Sequence, residues 1–117
     1  MRFWMTFSGD DTTPPTPAKL AALHKFGEDM QQAGILIDSG GILPPSKGAR
    51  LRLDGDKFTV TDGPFPEIKE LILGYAIVEV KDRAQAIEVA HQFMAVAGDG
   101  EGEIRQLFGP ADGPPPR

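Results

Sequence analysis

Hydrophobic and polar positions alternate along residues 2–7, with Phe3, Met5 and Phe7 on one side and Arg2, Trp4 and Thr6 on the other. A period of two predicts a β-strand. The polar stretch from Ser8 to Pro15 predicts a loop. Thr16 then suits an N-cap, with Pro17 at the first helical position, where its missing N–H costs nothing. Leu20, Leu23, Gly27 and Met30 recur at helical spacing, Phe26 widens their stripe, and Gly34 reads as the C-terminal stop. Ile35-Leu36-Ile37 opens a second strand that fades into Gly40-Gly41 and Pro44-Pro45.

The middle of the chain reads as a hairpin. Leu51 and Leu53 alternate with Arg50 and Arg52, Asp54-Gly55 supplies a turn, and Phe58 and Val60 alternate with Thr59 and Thr61. The apolar four then share a face. Beyond Asp62-Gly63-Pro64 lies the strongest strand pattern, Leu71 to Val80. Asp82 with Gln85 three residues on is a capping-box signal for a second helix. Its expected inward residues are Ile87, Ala90 and Met94, flanked by Ala86 and Phe93. Gly98 to Gly102 breaks that helix, and Glu103 to Phe108 predicts a final strand. The order β-α-β-(β-hairpin)-β-α-β predicts an α+β, ferredoxin-like sandwich with both helices on one face of the sheet. It occupies residues 1–109 as a single domain, followed by a loose proline-rich tail over 110–117.

The strand at 71–80 is apolar on both faces, with Leu71, Leu73, Tyr75 and Ile77 opposite Ile72, Ala76, Val78 and Val80. Two helices cover one face of a sheet, so the other needs a second cover. Covering about 600 Å² of it gains on the order of 15 kcal/mol before association costs. A second copy packed sheet to sheet about a two-fold axis supplies that cover, so a homodimer is expected. The alternative is that the hairpin or tail folds over the same face.

Composition narrows the function classes. The chain has 117 residues, which is room for one core. Without about 18 consecutive apolar residues or a leader-like start, it is expected to be cytoplasmic, with no membrane partner. The absence of cysteine excludes disulfides, thiolate metal sites and cysteine nucleophiles. A net charge of −5 argues against a nucleic-acid partner. His24 and His91 stand 67 positions apart without ligand-spaced acids, so no metal or cofactor is expected.

The segment Val60-Thr61-Asp62-Gly63-Pro64-Phe65-Pro66-Glu67-Ile68-Lys69-Glu70, followed by Leu73-Gly74-Tyr75, resembles the signature of YCII-related proteins of the DGPF type. Ala33-Gly34-Ile35-Leu36, Ser46-Lys47-Gly48-Ala49-Arg50 and Gly100-Glu101-Gly102-Glu103-Ile104-Arg105 agree with it, so the likeness runs from residue 2 to about 108. The resemblance implies small, mostly bacterial, cytosolic subunits that dimerise into an α/β-barrel. It implies no particular reaction, and some such proteins accompany extracytoplasmic-function sigma factors. Where that family often carries Gly-Glu-Gly-Leu after strand two, this chain has Ser39-Gly40-Gly41-Ile42. A role for that glutamate therefore does not carry over.

Three groups of residues are candidates for a site. Asp62, Gly63, Pro64, Phe65 and Glu67 form either a structural turn or one wall of a substrate cleft, with Asp62 or Glu67 as acid, base or acceptor. His24 lies at the border of the first helical stripe. Some YCII-related proteins use a histidine and an aspartate as a candidate acid–base pair, and counting back from Gly34 and forward along strand two brings His24 and Asp38 level. Either they pair or His24 is a half-exposed helical residue. Lys47 and Arg50, with Arg52, Thr59 and Thr61, form a basic cluster that suits a carboxylate or phosphate, or a solvated hairpin face. The function classes in view are a small-molecule enzyme using acid–base chemistry, a non-catalytic small-molecule-binding or regulatory module, and an interaction protein.

Overall fold

A computed structural model describes residues 1–9, 14–62 and 71–113. The elements in order are β1 (Arg2–Gly9), α1 (Pro17–Gln32), β2 (Leu36–Gly41), β3 (Ala49–Asp54), β4 (Lys57–Asp62), β5 (Leu71–Glu79), α2 (Arg83–Ala97) and β6 (Glu101–Gln106). Short 3-10 turns lie at Pro45–Lys47 and Pro110–Asp112. In the second, the Asp112 carboxylate accepts from the Gly109 N–H at 2.8 Å.

Four strands form one antiparallel sheet in the order β2-β5-β1-β6. Because β2 and β1 both run against β5, they are parallel to each other with β5 between them. The same holds for β5 and β6 across β1. Two interlocked split β-α-β units result, the arrangement expected of a ferredoxin-like α+β chain. The β3–β4 hairpin forms a separate two-stranded sheet. Its loop is the two residues Gly55–Asp56, with Asp54 pairing Lys57, and Gly55 takes φ 63° there. Glycine at the first central position is what a two-residue primed turn requires.

The registers assign the faces. Phe3 lies opposite Val78 and Met5 opposite Ala76, and with Val80 they meet Ala86 and Val89 of α2. Met30, Ile35 and Leu36 pack against that cluster from the α1 side. Both helices thus cover the Phe3–Met5–Phe7 face, and Trp4, Thr6, Tyr75 and Ile77 point away from them. The hairpin does not cover that second face, since every hairpin residue is itself exposed.

The caps follow the sequence. Thr16 Oγ1 accepts from the Lys19 N–H at 3.1 Å, and Gly34, at φ 77°, closes α1 with Ile35 N–H donating to the Met30 carbonyl at 2.9 Å. Asp82 accepts from the Gln85 N–H at 2.8 Å, while Gln85 Oε1 accepts from the Lys81 N–H, one residue outside the expected box. Ala86, Ala90, Phe93 and Met94 of α2 lie on its inner side as the sequence indicates. Val89, buried, takes the central place expected of Ile87, which stays 44% exposed. Sequence also placed the last strand late: β6 begins at Glu101 because Gly102 sits where a Cβ would lie 2.6 Å from the Thr6 carbonyl oxygen, so β6 can pair closely with β1. The start of β1 is clasped by Glu79, which holds the Met1 ammonium at 2.9 Å and Arg2 Nε at 3.1 Å. Those two cations lower the Glu79 pKa below its ordinary value.

Candidate functional site: a cavity under the helices and a polar pair on the open face

No residue of α1 is buried, although its stripe is apolar. The helix meets the buried cluster at Met30, and between the rest of its inner side and the sheet lies a cavity of about 1030 Å³. That is the upper end of the size that holds small molecules. Met5 and Ala76 of the sheet, Leu23 and Phe26 of α1, and Phe93 and Met94 of α2 line it. Phe93 holds the aromatic part together, edge-on to Phe7 at 5.5 Å and tilted against Phe26 at 6.1 Å. Lys19 and Asp99 are among its few charged lining residues.

The opposite face of the sheet carries a different arrangement. A bulge in β2 sets both Ile37 and Asp38 against Ile77 of β5. Simple alternation from Leu36 would turn Asp38 toward the helices; the extra residue turns it away from them. There its Oδ2 accepts from the Tyr75 hydroxyl at 3.3 Å, and its Oδ1 from the Ser39 N–H at 2.9 Å. The Tyr75 ring lies over Gly40, where an added Cβ would stand 2.9 Å from the ring. Trp4 and Thr6 flank the pair on β1. The charge of Asp38, partial burial and the hydrogen bond to Asp38 all push the Tyr75 pKa up, so the phenol is a neutral donor at physiological pH.

The other candidates lie elsewhere. His24 is on the solvent side of α1, 78% exposed, with Nε2 at 2.8 Å from Glu28 Oε1 one turn on. It and Asp38 are therefore not brought together, because the β2 bulge sends the carboxylate to the far face. Lys47 ends the 3-10 turn before the hairpin, and Arg50 sits opposite Thr61 on the hairpin. Asp62 ends β4 opposite Ala49, on the face opposite Arg50. Gly63, Pro64, Phe65 and Glu67 lie outside the described residues. Tyr75 was not among the sequence candidates. The available signal was its position as the one tyrosine of the chain, on the uncovered side of the strongest strand.

The YCII-related domain matches residues 1–109. The chain belongs to the YCII-related family. An uncharacterized protein of Rhizobium meliloti (strain 1021) is 31% identical over 77 residues, a match that covers 65% of this chain and 62% of that relative. This YCII-related chain thus aligns to less than two thirds of the relative's length. No helix among the described residues is long and apolar enough to cross a membrane.

Proposed function

We propose that this protein binds a small, largely apolar molecule in the cavity between its sheet and its helices, and does so as a homodimer. The observation that carries the reading is the shallow burial of α1. A helix whose apolar stripe of Leu23, Phe26 and Met30 is only half-buried, with Leu20 53% exposed, borders about 1030 Å³ of largely apolar space. Filling such a space with ligand recovers the contacts that the stripe lacks. The dimer reading is supported by Trp4, Tyr75 and Ile77, which lie on the sheet face that no element of the described chain covers.

A second reading is favoured by the Asp38–Tyr75 hydrogen bond. A neutral phenol beside a carboxylate is a proton donor next to an acceptor, which is the equipment for acid–base chemistry on a small molecule. It would work at the face where the second copy packs, with His24 and Asp62 on other surfaces.

One screen separates these readings. Thermal shifts with a library of small apolar acids, alcohols and aromatics are measured on the wild type and on Ala90→Phe, Asp38→Asn, His24→Ala and Asp62→Ala. Ala90 lines the cavity, and a phenyl group there fills part of it. A stabilising ligand is expected to lose its effect in Ala90→Phe and keep it in the other three. Survival in Ala90→Phe with loss in Asp38→Asn moves the site to the open face, and loss in His24→Ala or Asp62→Ala restores those residues.

A further inference from the structure

The β3–β4 hairpin is the part of the described chain that the fold uses least. Its strands pair only with each other. Yet one face carries Leu51 opposite Val60 and Leu53 opposite Phe58, all four between 54% and 69% exposed. Single exposed apolar residues are ordinary on a protein surface, but four in register on one ribbon form a patch. A two-stranded ribbon is also marginal in water without something to pack on. The hairpin holds itself away from the body. The radius of gyration is 16.5 Å, where a compact chain of this length has about 13–14 Å.

We propose that the hairpin is an arm that lays its Leu51–Leu53–Phe58–Val60 face on a second copy of the chain, so that each subunit clasps the other. The inference rests on the dimer reading above and adds the element that holds the partner. Area favours a second copy. A stable interface buries about 800 Å² per partner, and four side chains giving about 100 Å² each supply roughly half of that. The open sheet face around Trp4, Ile37 and Ile77 can supply the rest. One two-fold assembly can use both surfaces.

The test compares the full-length wild type with the double variant Leu53→Lys, Phe58→Lys by sedimentation from low to high micromolar concentration. Circular dichroism checks that the variant is folded. The dimer dissociation constant is expected to rise at least about tenfold. Independently, a benzophenone amino acid replaces Phe58 in the otherwise unchanged chain. Unlabelled and nitrogen-15-labelled chains are mixed, allowed to exchange and irradiated. Mixed-label cross-links are expected. A folded double variant that dimerises within about twofold of wild type, or cross-links confined to one chain, overturns the arm. If the double variant does not fold, the cross-links decide. Retained arm-independent dimers that Trp4→Lys dissociates would leave the dimer reading standing without the arm, whereas a wild type that stays monomeric throughout removes both.

Discussion

Tyr75 is the one tyrosine of the chain, so its ionisation can be followed by ultraviolet absorbance without deconvolution. Its hydroxyl donates to Asp38, and forming a tyrosinate beside that carboxylate is unfavourable. The titration midpoint is therefore expected above the ordinary value of 10.0. In Asp38→Asn the charge is gone and the midpoint should fall back toward that value. The sign for stability follows. The unfolded chain loses the tyrosine proton at lower pH than the folded chain, so stability declines as pH rises through the unfolded value near 10. An unchanged midpoint in Asp38→Asn would mean that the pair is not formed in solution.

At the scale of elements, α1 is the less buried of the two helices. Gly27 lies in its interior, and a Cβ built there meets nothing within 4 Å. The residue costs helix stability without serving a close contact. Gly27→Ala is expected to stabilise the fold by about 0.5–1 kcal/mol, read by urea unfolding. Destabilisation instead would show that the helix sits closer to the sheet than the cavity allows. By contrast α2 is anchored by the buried Ala86 and Val89, and the rigid pairing of β1 with both β5 and β6 holds its floor. The cavity thus has one wall that is buried in the core and one that is half-exposed.

At the scale of the whole molecule, the covered and uncovered faces of one sheet carry the functional argument. Trp4 sits between Ile77 and Arg105 on the face without helices. Replacing it by lysine leaves the Phe3–Met5–Val78 cluster untouched. If the open face is the seam of the proposed dimer, Trp4→Lys is expected to remain folded and to dimerise with a dissociation constant about a hundredfold or more above that of the wild type. Equal dimerisation of both proteins would exclude the open face as the seam.

The periodicities at 2–7, 17–34, 50–61 and 71–80 made the elements legible, as did the capping residues Thr16 and Asp82, because local hydrogen bonding and burial of one face depend on near neighbours in sequence. The alternation of Trp4 against Phe3 and Met5 likewise announced a two-faced sheet. Tertiary structure alone decided where Asp38 points, because one extra residue in β2 inverts every later side chain of that strand, and a bulge is set by the register of pairing with β5. It alone decided that α1 is only half-buried while α2 sinks in, because seating depends on the side-chain volumes of all layers at once. Pairing partners and packing distances are properties of residues far apart in the chain, and no local pattern records them.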